Sequence, residues 1–296
     1  MKKRLRKVAG ALLRLAVRVV GRIFVRARAL DDATRACRGY AVAGRSSTIG
    51  YFNEDGEPPA SVARAYLATI DAIAGEKLDS YLSVKIPALQ FDAALLQSVV
   101  DHGKRRGIGV HFDSHQHELA DPTFASIQQA HRSFPLIGCT LPGRWRRSLD
   151  DTDLAVDLGL RVRVVKGQWA DPGYPDIDRR DGFLAVIDRL AGRARHVAVA
   201  SHDPPLVREA LRRLRAAGTP CDMELLVALP MRSALRTARD LGATVRIYVP
   251  FGPSWVSYAL NQAQKDPRLA LWVVRDALFG GLPGKGAQLG PPPSRA

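Results

Sequence analysis

Cysteine is scarce in this chain. Cys37, Cys139 and Cys221 are the only three in 296 residues, far apart and odd in number. That argues against a disulfide framework and a cysteine-based metal site, and it suits a reducing compartment. Acidic residues are missing from residues 1–28, which hold ten of the chain's 44 Lys and Arg, and serine is missing from residues 1–45. The net charge of +15 therefore reports mainly on an N-terminal arm. The remaining 34 basic residues face 29 acidic ones, an ordinary balance that argues against a nucleic-acid partner. Long uninterrupted apolar runs are also missing. Arg14, Arg18 and Arg22 break the stretch from Val8 to Val25, which reads neither as a transmembrane helix nor as a secretory signal. An arm without serine is a poor organellar transit peptide.

What the arm has is a period. Arg14, Arg18, Arg22 and Arg26 recur every four residues and fall along one helical stripe, with Leu, Val, Ile and Phe around it. A basic amphipathic helix suits the surface of an anionic membrane; the plainer reading is a cationic helix packed on its own domain. The expected organisation is a helical arm over 1–45, a folded domain over 46–279 and a disordered Gly- and Pro-rich tail over 280–296.

Within the central span, eight short apolar runs alternate with helix-like stretches. The runs are Thr48–Phe52, Tyr81–Ile86, Gly109–Asp113, Leu136–Thr140, Val162–Lys166, Val197–Ser201, Met223–Val227 and Val245–Pro250. Helices are expected from Pro59, Asp92, Pro122, Asp150, Asp181, Pro204 and Met231, several ending in glycine, then over 254–264, with an extra helix over 267–279. Eight strand–helix units predict an α/β fold: a (β/α)8 TIM-like barrel with an N-terminal helical arm and an extra C-terminal helix. In that architecture active sites form at the C-terminal ends of the strands.

Chemically loaded residues sit at those ends. Lys85 interrupts an apolar strand, where a lysine is costly unless paired or solvated; snorkelling outward is the plainer alternative. Asp113 ends the third strand and suits Lys85 or another neighbouring cation as partner. His115 and His117 follow it, a spacing that suits a metal-dependent hydrolase if other ligands converge. Arg161 and Arg163 share one strand face, and with Lys166 and Gly167 they suit an anionic cofactor or phosphate. Ser201, His202 and Asp203 end the sixth strand and open a helix, where Ser201 or Asp203 is placed to cap it. Consecutive residues do not make a Ser–His–Asp triad. Tyr248, Phe251, Trp255 and Tyr258 form an aromatic lip, suited to a ligand lid or to ordinary core packing.

In this order, the segments SVKIPAL, HFD, RVVKGQW, VAVASHD, CDMELL and RIYVPFG-x-x-W-x-x-Y resemble the proline dehydrogenase family. These are flavin-dependent barrel enzymes that oxidise L-proline to pyrroline-5-carboxylate. The likeness runs from about Ile23 to Phe279. It implies FAD across the barrel's C-terminal mouth, L-proline or a related cyclic amine as substrate, and electrons leaving to a membrane quinone. That in turn implies a cytoplasmic protein at the inner face of a membrane, touched through the arm. Carried over by position, Lys85 would hold the substrate carboxylate and Asp113 would brace the site. Arg163 would lie by the flavin's reactive edge, and Lys166 with Gly167 by its phosphates. Ser201, His202 and Glu224 would meet the cofactor, and Tyr248 and Tyr258 would close over the substrate ring.

The departures are specific. Asn261, Gln262 and Lys265 stand where the family carries two arginines and a glutamate. Leu141-Pro142-Gly143-Arg144 replaces its Gln-Ala-Tyr, and Glu224 replaces a glutamine. Two lost charge-assisted hydrogen bonds would weaken carboxylate binding by roughly 10²–10⁴-fold, unless Arg144 or Lys265 takes over part of the clamp. The rival expectation is a diverged barrel that binds without catalysing.

Overall fold

The computed structural model describes residues 29–227, 229, 231–255 and 257. The arm up to residue 28, Tyr258, Asn261, Gln262, Lys265, the helix expected over 267–279 and the tail lie outside the described residues.

Eight parallel strands close into a barrel in sequence order: β1 (Ser46–Tyr51), β2 (Ser80–Val84), β3 (Val110–Phe112), β4 (Ile137–Pro142), β5 (Arg161–Val165), β6 (His196–Ala200), β7 (Cys221–Leu226) and β8 (Val245–Phe251). The closing ladder runs from Ser46 beside Arg246 to Tyr51 beside Phe251. Helix α1 (Leu30–Val42) precedes the barrel. Helices α2 (Pro59–Gly75), α3 (Ala93–Arg106), α4 (Ala120–Ser133), α5 (Ser148–Asp157), α6 (Arg179–Leu190), α7 (Pro204–Ala216) and α8 (Arg232–Asp240) each follow one strand. Residues 30–42, read from sequence as the end of the arm, pack as α1 against β8 and β1, covering the seam where the barrel closes.

The strand period sorts the side chains. Ile49, Leu82, Val84, Val110, Phe112, Val162, Val164, Val197, Val199, Leu225, Ile247 and Val249 are all buried in the apolar layer. Each such side chain contributes about 1.5–3 kcal/mol of burial. The alternate positions carry Thr48, Tyr81, Ser83, His111, Arg161, Arg163, Asp222, Glu224, Arg246 and Tyr248, which contact one another across the barrel's interior.

The helices start and stop where local chemistry dictates. The Asp92 carboxylate caps α3 by accepting from the amides of Ala94 and Leu95, both at 2.9 Å, and Asp178 and Asp203 cap α6 and α7 in the same way. Gly159, Gly218 and Gly242 take positive φ just past α5, α7 and α8. Gly182 in α6 lies directly on the backbone of Gly143, where a Cβ would overlap the Gly143 carbonyl. That contact brings α6 close under the mouth of β4.

Candidate active site

The interior polar residues form two tiers. The lower tier, toward the N-terminal ends of the strands, joins Arg161 to Asp222 at 2.9 Å and Arg246 to the Ser47 carbonyl at 2.6 Å and to Asp79 at 3.2 Å. The Tyr81 ring lies against both guanidiniums, at 4.6 and 4.8 Å from ring centre to Cζ. The Arg161 charge, grouped from sequence with Gly167 as an anion site, is therefore spent inside the barrel. An inward face at the start of a strand cannot reach the mouth.

The upper tier centres on Arg163. Its Nε and Nη2 donate to the two oxygens of Glu224 at 3.0 and 2.9 Å, and its Nη1 donates to Asp113 Oδ1 at 2.6 Å. Tyr81, Ser83 and Thr140 hydroxyls lie at 3.3–3.4 Å from its terminal nitrogens. Every guanidinium nitrogen thus meets a protein acceptor. Glu224 also accepts from Thr48 at 2.8 Å and from Tyr81 at 3.0 Å. Burial pushes the Glu224 carboxyl up, but Arg163, and behind it Arg161 and Arg246, hold it below the usual range.

Above this pair the tier opens. Asp113 Oδ1 also accepts from the Ser83 hydroxyl at 2.6 Å, while Oδ2 accepts from the Tyr248 hydroxyl at 2.9 Å and faces Lys85 Nζ at 3.7 Å. Burial opposes ionisation of Asp113, yet Arg163 and Lys85 keep its pKa lowered. Lys85 Nζ donates to the Tyr51 carbonyl at 3.0 Å and lies 3.8 Å over the Phe52 ring. Burial lowers its pKa, with Asp113 pulling the other way. Burial and Asp113 together drive the Tyr248 phenol well above its ordinary value. Tyr248 fits only because β1 carries Gly50 opposite; a Cβ there would overlap the phenol oxygen.

Lys85 and Asp113, offered as partners from sequence, thus meet just past the ends of β2 and β3, and Tyr248 joins them from β8. Sequence reading missed Thr48, Tyr81 and Ser83, which build the tier beneath. Their signal was the strand period itself, since polar residues at Tyr81, Ser83 and Lys85 alternate with apolar ones.

The remaining candidates line the lip over β5 to β7. Lys166 pairs with Asp203 at 2.9 Å, and both are more than a third exposed. Asp203, not Ser201, caps α7; the Ser201 hydroxyl accepts from the Asp203 amide at 3.2 Å. His202 Nε2 accepts from the Leu226 amide at 3.0 Å, tying β6 to the end of β7. Gly167, at φ +90°, is pressed against Pro142 and Arg144. Arg144 is bound to both Asp176 oxygens and to the Gln168 carbonyl. It has a settled partner and is not poised as the replacement carboxylate clamp.

His115 and His117 part company. His115 stacks on Trp169, and burial, then Lys85, push its pKa down to about 4. His117 sits edge-on to Trp145 and 3.6 Å from Asp171. Among the described residues no group of three His, Cys, Asp or Glu side chains is placed to hold a metal ion, so the hydrolase expectation has no support.

Fold and site together define a (β/α)8 barrel with an ionised, solvent-shielded cluster at its C-terminal mouth. No family model matches the chain. It is 25% identical over 277 residues to proline dehydrogenase 1 of Bacillus subtilis subsp. natto, covering 88% of this chain and 91% of that one. It is 23% identical over 278 residues to the proline dehydrogenase of Deinococcus radiodurans, covering 87% and 89%. The fold matches proline utilization A from Bdellovibrio bacteriovorus, inactivated by N-propargylglycine, with a TM-score of 0.75 and 16% identity. That match covers 90% of this chain, which spans about a third (34%) of the larger protein. The chain is thus similar to proline dehydrogenases over most of its length and of theirs.

Proposed function

We propose that this chain is a flavin-dependent dehydrogenase that oxidises L-proline, or a closely related cyclic amine, to the ring imine. The observation that carries the reading is the convergence of Lys85, Asp113 and Tyr248 at the barrel mouth, in a chain related over most of its length to proline dehydrogenases. Lys85 would attract the substrate carboxylate, Asp113 would steady Lys85 and Tyr248, and Tyr248 with Tyr258 would enclose the ring.

The residues at the lip fit a phosphate-bearing cofactor. Lys166 is accessible there, Asp203 feels both Lys166 and Arg180, and Gly167 turns the chain beside them at φ +90°. Lys166, Gly167, Ser201 and His202 would hold FAD, which when bound supplies a two-electron acceptor. The protein's own part is to orient the substrate, exclude water and hold Asp113 ionised. Arg163 and Glu224 lie beneath the site, with their hydrogen-bonding capacity taken up by each other and by Asp113, Thr48 and Tyr81. We place them as supports of the site.

Electrons would leave to a quinone, and the basic arm over 1–28 would hold the protein against the cytoplasmic face of a membrane. The arm's composition supports that reading. Among the described residues no helix is long and apolar enough to cross a membrane. The reaction is tested by incubating the flavin-loaded protein with L-proline and a soluble quinone, then weighing the product. A product two hydrogens lighter than proline supports the reading; no such product from proline or other cyclic amines refutes it.

A further inference from the structure

We infer that Glu224 is a positioning residue that acts through Arg163 on Asp113. The inference rests on the reading of the barrel mouth as the substrate site.

A guanidinium is flat, and contacts along one edge fix its plane and rotation together. Glu224 takes the Nε and Nη2 edge of Arg163 with both oxygens, at 3.0 and 2.9 Å. The nitrogen left over, Nη1, then points to the opposite side, where it meets Asp113 at 2.6 Å. Glu224 is held in turn by Thr48 from β1 and Tyr81 from β2. It is 3% exposed, so its route to the mouth runs through Arg163. The far end of this chain of contacts is Asp113 Oδ2, which receives Tyr248 and faces Lys85.

Charge follows the same path. One guanidinium shared between two carboxylates neutralises one of them and leaves a single negative charge for Lys85 to balance. A glutamine at position 224 would keep the shape but remove that charge. It would also present an amide donor to a group of donors, so it could not receive Arg163 on both arms.

The test uses the flavin-loaded full chain with Glu224→Gln, Glu224→Leu, Asp113→Asn and the Glu224→Leu/Asp113→Asn pair. Nuclear magnetic resonance of ¹⁵N-arginine-labelled protein reads Arg163 directly, its N–H signals being assigned by their loss in Arg163→Lys. Slowly exchanging Arg163 N–H signals are expected in the parent, and shifted, broadened signals in both Glu224 variants. In kcat/KM for proline, Glu224→Leu and Asp113→Asn each fall about tenfold or more, and the double variant falls no further than Asp113→Asn, because both cut one path. Unchanged Arg163 signals, or losses that multiply in the double variant, overturn the inference. Where Glu224→Leu fails to fold, the near-isosteric Glu224→Gln carries both readings, paired with Asp113→Asn. A parent protein inert toward proline would refute the function proposed above, and the Arg163 signals would still decide the role of Glu224.

Discussion

Tyr248 and Gly50 show how much of the site depends on single atoms. The phenol occupies the space a Cβ at position 50 would take, and from there it reaches Asp113 at 2.9 Å. Gly50→Ala should push the ring off the carboxylate and lower kcat/KM about 10- to 100-fold, the worth of one charge-assisted hydrogen bond. Kinetics beside a melting curve would separate this from unfolding; unchanged kcat/KM would mean Tyr248 does not act from this position. Buried histidines contribute to the acid sensitivity, and His111 is held well below its ordinary value by burial and the neighbouring arginines. Burial pushes His115 and His196 down to about 4, whereas an unfolded histidine titrates near 6.5. The unfolded chain takes up these protons first, so stability is full above pH 6.5 and declines as pH falls toward 4, by roughly 1–3 kcal/mol for each histidine. The melting temperature should drop between pH 7 and pH 4.5, and His115→Gln should flatten that slope; an equal slope would clear His115. Lys85 and Asp113 were legible in the sequence because a charge at the end of an apolar strand needs a partner. The partners of Arg163 were not, because strand period gives the face a residue shares but not which strand lies across from it.

At the scale of elements, all eight sequence-read strands overlap those of the barrel, since each is a short apolar run closed by a polar or turn residue. Helix ends were legible for the same local reasons, as with Asp92 before α3 and Gly159 after α5. What local pattern could not reveal was long-range approach. Nothing around Gly143 or Gly182 in sequence says that one packs on the other, and nothing in residues 30–42 says that they cover the seam of β8 and β1. Gly182→Ala should force α6 away from β4 and cost about 1–3 kcal/mol, the usual penalty of overpacking. Denaturant unfolding measures it, and a stability loss below about 0.5 kcal/mol would mean that α6 shifts freely.

Over the whole molecule, charge is divided between two places with different consequences. Inside the barrel, guanidiniums and carboxylates are matched tier by tier, which lets an ionised site sit on a sealed base. Outside it, the unmatched charge gathers in residues 1–28. The full chain should therefore sediment with anionic vesicles at low salt and release as salt rises, while a chain lacking residues 1–28 should stay in solution; equal binding by both would remove the arm from the account. The central claim is that the cluster at the mouth belongs to a proline-oxidising flavoprotein. Its most direct test is the visible absorption spectrum of the purified protein before and after anaerobic L-proline. A yellow protein that bleaches on addition of proline is the predicted result; a colourless protein that also fails to take up added FAD would contradict it.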